Sequence, residues 1–137
     1  MNELYFDGAC EPNPGTGSIG IVLMEGGEAV ATGSTLLNGK VTSNVAEYAA
    51  LWFGLRAVLE RGWEHIHIYG DSTLVVHQVN GKWKARTPHI IANRNKVLWL
   101  LESFQSWTLE WKGREFNSPA DKLSKDVLIA NGITPRY

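Results

Sequence analysis

Four carboxylates stand apart from the other acidic residues of this 137-residue chain by where the sequence places them. Asp7 and Asp71 occupy matching contexts, Tyr5-Phe6-Asp7-Gly8 and Tyr69-Gly70-Asp71-Ser72, each where a β-strand pattern gives way to a breaker. Parallel pairing of the two strands would set the aspartates side by side, in the crevice beyond the strands' carboxyl ends where open α/β sheets bind ligands. Starting a turn or capping a helix is the simpler reading of either aspartate taken alone. Glu47 is the one carboxylate between Val45 and Leu59, a run made mainly of Ala, Leu, Val, Trp, Phe and Tyr. At about 100° per residue, Arg56 lies about 180° around a helix from Glu47, and Glu60 falls near Arg56, so these two mark the wet face. Glu47 shares its side with Leu51, Gly54 and Val58, and a carboxylate held there needs a partner or a cation. The rival reading is a capping box running from Asn44 to Glu47. Asp121 is equally open, since Ser118-Pro119-Ala120-Asp121 fits an N-cap, a proline at N1 and an acidic N3. If the last helix packs near the sheet's carboxyl edge, however, Asp121 joins the other three. Four clustered carboxylates raise one another's pKa and are tolerated mainly around divalent cations, and oxygen-only ligands favour Mg²⁺ or Mn²⁺.

The elements that must position these groups follow from pattern and punctuation. Asn2 to Phe6 reads as a strand, Asp7 to Gly15 as a loop, and Ser18 to Met24 with Glu28 to Leu37 as a hairpin turning at Gly26-Gly27. Val45 to Glu60 reads as a helix with Asn44 as N-cap and Gly62 as its stop. A strand at His65 to Tyr69 is followed by a helix starting at Ser72 and a helical stretch from Pro88 to Phe104. Trp107 to Lys112 forms a fifth strand and Pro119 to Ala130 a last helix. The expected fold is α/β: a five-stranded mixed sheet, three strands antiparallel and the rest parallel, flanked by helices. One domain over residues 1–137 is expected, with 131–137, which holds Gly132 and Pro135, as a flexible tail. His65 and His67 share one strand face and are expected to pack and hydrogen-bond rather than bind metal.

Composition excludes several classes. With 44% hydrophobic and 20% charged residues the chain is neither disordered nor fibrous. No stretch reaches the ~18 apolar residues of a membrane span, and Met1-Asn2-Glu3 opens neither a basic nor an apolar leader, so a cytoplasmic chain without membrane contact is expected. The single Cys10 and four scattered histidines give neither a disulfide nor zinc spacing. The net charge of −1 means that any basic surface is local. Such a stretch runs from Ser72 to Leu101, free of Asp and Glu but carrying Lys82, Lys84, Arg86, Arg94 and Lys96 with His77 and His89. A plain solvated face is the competing reading.

Taken in order, Asp7-Gly8-Ala9 with Asn13-Pro14-Gly15, Thr42-Ser43-Asn44-x-x-Glu47, Gly70-Asp71-Ser72 and Asn117-x-x-Ala120-Asp121-x-Leu123-Ser124 resemble the ribonuclease H type 1 family. The resemblance covers about the whole chain with four separately spaced motifs, far more than a lone glycine-rich loop. It implies the ribonuclease H-like fold and hydrolysis of the RNA strand of an RNA–DNA hybrid, leaving 5′-phosphate and 3′-hydroxyl ends. It further implies two ions, Mg²⁺ or Mn²⁺, roughly 3.5 to 4 Å apart, clamping an in-line displacement. The family's catalytic and metal-binding carboxylates fall on Asp7, Glu47, Asp71 and Asp121. By analogy Asp7 and Asp71 contact both ions, Glu47 one ion and a ribose 2′-hydroxyl, and Asp121 the water-activating ion. Substrate contacts are implied at Gly8, Asn13, Gly15, Thr42, Asn44 and Ser72, and the expected enzyme is a monomer, with double-stranded RNA an open second substrate.

Two departures matter. Bacterial members often carry a histidine on a mobile loop before the last helix, but Gly113-Arg114-Glu115-Phe116-Asn117 has none, which leaves Arg114 or Glu115 to assist. This short form resembles archaeal-type members. The long basic protrusion is also missing, because Pro88 follows Trp83 within five residues. Lys82, Trp83, Lys84 and Arg86 are left to contact phosphates of the DNA strand, against the reading of Trp83 as a core or hinge aromatic. Two rivals stand beside the hydrolase: a binding module that kept the fold without the chemistry, and another nuclease or transposase-like enzyme of the same fold, distinguished by its substrate.

Overall fold

Strand β1 (Asn2–Glu11) lies at the centre of a sheet ordered β3-β2-β1-β4-β5, with β2 spanning Gly15–Glu25, β3 Glu28–Val41, β4 His65–Gly70 and β5 Ser106–Trp111. The pairs β1–β2 and β2–β3 are antiparallel, β1–β4 and β4–β5 parallel, as the pattern predicted. This computed structural model describes residues 1–133. Helix α1 (Ser43–Glu60) crosses over from β3 to β4, α2 (Thr73–Val79) and α3 (Pro88–Leu101) lead to β5, and a short 3₁₀ turn at Arg114–Phe116 precedes α4 (Ser118–Ala130). Among the described residues no helix is long and apolar enough to cross a membrane.

The first strand is longer than expected. Its parallel pairing with β4 stops at Phe6↔Gly70, but pairing with β2 continues through Asp7↔Gly20 to Glu11↔Thr16, so much of the predicted loop is strand. Asp7 therefore lies inside a strand at the point where one neighbour drops away. Gly8 resembles a breaker in sequence, yet its bare Cα serves packing, since a Cβ there would overlap the Ala46 and Glu47 backbone of α1.

Helix α1 starts one residue past β3. Its N-cap is Thr42, not Asn44: the Thr42 hydroxyl accepts the Val45 N–H at 3.2 Å, which puts Asn44 in the first turn. That removes the capping-box reading of Glu47. Along α1, Glu47, Leu51, Gly54 and Val58 are buried while Arg56 and Glu60 are exposed, as the helical arithmetic requires. With α3 the buried stripe covers Leu4, Phe6, Ile66, Ile68 and Leu109, the main core, where each fully buried Leu, Ile or Phe contributes roughly 1.5–3 kcal/mol.

Helix α4 packs on β1 and β2, close enough that a Cβ on Gly20 would overlap the Ala120 carbonyl. Its N-cap position is Asn117 rather than Ser118, with Pro119 in the first turn. At its far end the Gly132 and Ile133 N–H groups donate to the Ile129 and Leu128 carbonyls, each at 3.0 Å, in a Schellman closure. Asn131 to Ile133 thus finish the helix, and the rest of the expected tail, 134–137, lies outside the described residues. The His65 and His67 Nδ1 atoms meet the Ser106 and Thr108 hydroxyls across the β4–β5 ladder at 2.6 and 2.9 Å, so both hydrogen-bond as expected, although His65 is exposed rather than packed.

Candidate active site

The end of the β1–β4 parallel ladder brings Asp7 and Asp71 together, and α1 presents Glu47 from its buried side. One carboxylate oxygen from each of the three lies within 4.8 Å of the others. Asp7 and Glu47 are buried, with 4% and 7% of their surface exposed. The Gly8 N–H donates to Glu47 Oε1, which ties α1 to β1 directly. Asp7 Oδ2 accepts from the Ser124 hydroxyl at 2.8 Å. The Trp111 indole N–H donates to the Asp71 carbonyl at 3.1 Å, and Arg114 Nε stands 3.9 Å from Asp71 Oδ2. Asn117 donates its amide to the Phe6 carbonyl at 2.9 Å, fixing the start of α4 beside Asp7.

Burial dominates the electrostatics. It pushes the Asp7 carboxyl up from 3.8 to about 8, reinforced by the charge of Asp71 and opposed by the Ser124 hydrogen bond. Glu47 is raised well above the ordinary range, first by burial and then by Asp7 and Asp71. Asp71 is raised by burial too, partly offset by its hydrogen bond from Asp7 and by Arg114. Without a cation, therefore, protons are retained among the three near neutral pH. Three converging carboxylates form an oxygen-only donor set that fits a hard divalent ion, which would replace those protons.

Asp121 stands beside this trio rather than within it. Lys125, one turn further along α4, holds its carboxylate at 3.0 Å, although its charge still reaches Asp7 and Asp71. The expected four-carboxylate cluster is thus three plus a neighbour drawn along the helix by an i,i+4 ion pair.

An open cleft of about 730 Å³ has Asp7, Gly8, Asn13, Asn44, Glu47, Asp71, Ser72 and Arg114 on its walls. The reverse transcriptase-like family model matches residues 5–127. The crystal structure of RNase H1 from Halobacterium salinarum superposes with a TM-score of 0.91 at 37% identity, over 94% of this chain and 98% of that one. The chain belongs to the ribonuclease H type 1 family. Halobacterium Ribonuclease HI is 38% identical over 90% of this chain but only 62% of its own length. Bifunctional protein Rv2228c of Mycobacterium tuberculosis is 33% identical, and the match covers 34% of it, so this ribonuclease H chain spans part of the curated relatives it matches. The structure of LC11-RNase H1 in complex with RNA/DNA hybrid aligns with a TM-score of 0.90 at 26% identity, over 96% of this chain and 99% of that one. As in the short, archaeal-type form, α2 and α3 are joined by residues 80–87 alone.

Not every residue carried over from the ribonuclease H motifs reaches the cleft. The Thr42 hydroxyl is spent on the α1 cap, and Gly15 is buried against Pro12. Asn13 instead makes a two-way bridge to Ser43, its amide N and O each 3.1 Å from the Ser43 hydroxyl and N–H, and Ser43 joins the cleft wall. Ser72 lines the cleft and also caps α2 through Val75 N–H at 3.3 Å. Lys82, Trp83, Lys84 and Arg86 form an exposed loop away from the carboxylates. Lys84 and Arg86 line a second depression of about 340 Å³ that shares Asn44 and Leu74 with the cleft, so the two surfaces run together. Trp83 is 48% exposed with its ring 4.6 Å from that of His77, a shelf rather than a core aromatic. Arg94, part of the basic stretch, donates to the Gln78 carbonyl at 2.7 Å and so serves the fold. Glu115 is exposed with its carboxylate against Gly113, outside the cleft wall that Arg114 joins. Sequence reasoning assigned no role to Ser43, Ser124 or Lys125. Spacing could have flagged the last two, at i+3 and i+4 from Asp121 on one helix face.

Proposed function

We propose that this chain is an endoribonuclease that hydrolyses the RNA strand of RNA–DNA hybrids, acting as one ribonuclease H domain and as a monomer. The observation that carries the reading is the convergence of three buried carboxylate oxygens within 4.8 Å of one another at the wall of an open cleft, in a ribonuclease H fold. When bound there, two Mg²⁺ or Mn²⁺ ions supply an activated water and charge stabilisation for the leaving oxygen. Asp7, Glu47 and Asp71 would hold them, with Asp121 alongside. Water oxygen bonds to phosphorus as the P–O3′ bond breaks, leaving 5′-phosphate and 3′-hydroxyl ends.

The chain's own residues set selectivity and position. Glu47, Asn13, Ser43, Asn44 and Ser72 offer acceptors and donors along the cleft for the ribose 2′-hydroxyls that tell RNA from DNA. Gly8 lets α1 lie directly on β1 and so places Glu47 at the cleft, and Gly15 and Thr42 act behind it by holding the loop and the α1 start. The joined depression at Lys84 and Arg86, with Lys82 and the Trp83 shelf, takes the DNA strand's phosphates. Arg114, facing Asp71 where other members carry a histidine, donates to phosphate or the departing oxygen.

The test is cleavage of an end-labelled hybrid beside matched DNA duplex and double-stranded RNA, by wild type and Asp7→Asn, with Mg²⁺, Mn²⁺ or chelator. Hybrid cutting that is lost in both the variant and the chelated sample is the expected outcome. Hybrid binding without cutting under either ion would sink the hydrolase reading in favour of a binding module, and cutting of DNA duplex would favour a different nuclease.

A further inference from the structure

Ser124 lies one turn past Asp121 in α4, completely buried and behind the cleft wall rather than on it. Its hydroxyl oxygen is 2.9 Å from the Asp121 carbonyl, the i−3 acceptor that a helical serine commonly takes, and 2.8 Å from Asp7 Oδ2. One hydroxyl hydrogen serves one strong bond at a time, and the bond to Asp7 becomes the stronger as that carboxyl ionises. The Ser124 carbonyl in turn accepts from the Ser18 hydroxyl of β2, and the bare Gly20 lets α4 come close enough for all of this. Three elements, β1, β2 and α4, therefore fix where the Ser124 oxygen sits.

We propose that Ser124 is a positioning residue for the carboxylate cluster: its hydroxyl anchors Asp7 Oδ2 to α4 and so presents the other oxygen of Asp7 to the cleft. Asp7 faces Glu47 and Asp71 across a gap of a few ångströms, and once its proton is lost an unanchored carboxylate is driven away from that convergence by like charge. A donor from the α4 side holds it in the converging rotamer before any cation arrives. Partners of this kind behind a metal ligand change affinity and activity by about 10- to 100-fold when removed. The inference rests on the cation-binding reading of the cleft and adds the residue that shapes it.

Binding of Mn²⁺ alone to the full chain, followed by the paramagnetic resonance of free Mn²⁺, tests it beside hybrid-cleavage kinetics. Ser124→Ala is expected to weaken Mn²⁺ binding by about 10-fold and to lower kcat with little change in KM for the hybrid. Ser124→Thr, which keeps the hydroxyl, should recover most of the affinity. Ser18→Ala, which removes the neighbouring structural bond without touching Asp7, should lower the melting temperature and leave Mn²⁺ affinity as in wild type. Wild-type Mn²⁺ affinity in Ser124→Ala would overturn the inference while leaving the cleft reading intact. Equal weakening in Ser18→Ala would also overturn it, by showing that helix placement and not the hydroxyl matters. If wild type binds no Mn²⁺, both readings fall together.

Discussion

Asp7→Asn should separate the electrostatic load of the cluster from its chemistry, because the amide has the shape of a protonated aspartic acid and cannot ionise. Its oxygen can still accept from Ser124, and its NH₂ can donate to Asp71. In the folded wild type, burial holds the Asp7 proton up to about 8, against 3.8 ordinarily. Below pH 3.8 the folded and unfolded chains are both protonated at this site, and no penalty exists. Between about 4 and about 8 the unfolded chain gives up the proton that the folded chain keeps, so stability falls as pH rises, and above about 8 the loss is complete. At about 1.36 kcal/mol per pH unit the full loss is on the order of 5 kcal/mol. Rotation of the carboxylates toward cleft water relieves part of it, so a gain of about 1–3 kcal/mol is expected in Asp7→Asn, or roughly 3–9 °C in Tm for a domain of this size. The assay is calorimetric melting in chelator at pH 9 and near pH 4, repeated with Mg²⁺ at pH 9. Asp7→Asn should melt higher at pH 9, match wild type near pH 4, and lack the Mg²⁺-dependent rise that ligand linkage gives wild type. A lower melting temperature at pH 9 in chelator, or an advantage that ignores pH, would refute the crowded-cluster reasoning. Asp71→Asn should shift in the same direction by less, since Arg114 already offsets its charge.

Three further substitutions probe other links. Arg114→Ala should lower kcat on a hybrid by on the order of 10- to 100-fold with a smaller effect on KM, and an unchanged kcat in steady-state cleavage would remove Arg114 from the reaction. Arg86→Ala should weaken hybrid binding and reduce the slope of log K against log salt by about 1, read by fluorescence anisotropy across a salt series; an unaltered slope would mean that no phosphate is contacted there. Leu51→Ala, at a fully buried position of α1, should cost about 2–5 kcal/mol in urea unfolding without changing the Mn²⁺ affinity of the folded protein, and a loss under 1 kcal/mol would show that the core closes over the gap.

The parts of the site readable from sequence are those governed by a period or a repeated context. The twin strand endings placed Asp7 beside Asp71, and 100° steps along α1 turned Glu47 away from Arg56, because strand pairing and helix geometry leave little freedom once the elements are recognised. Choices among equivalent local signals were not readable. Thr42, Ser43 and Asn44 can all cap a helix, and the register at which β3 releases the chain at Val41 selects Thr42. Gly8 looks like a turn residue, and only the passage of α1 over β1 explains it as a point of backbone contact. The ion pair that draws Asp121 aside was visible as an i,i+4 spacing, whereas the Ser124 bond to Asp7 spans 117 residues and exists only in three dimensions.

Helix α4 buries only Ala120, Ser124 and Leu128, against eight residues of α1, and much of its joint with β1 and β2 is a glycine gap, two serines and an asparagine amide. Such a joint can open locally at a lower free energy than the core, because few buried side chains must be re-exposed to release it. Release of the helix would carry Asp121 and Ser124 away from behind Asp7 while the carboxylates on β1, α1 and β4 stay in place. Amide exchange in α4 should accordingly be faster than in α1, and should slow first when the carboxylates are neutralised. Readiness of the site would then depend on how firmly one helix is docked.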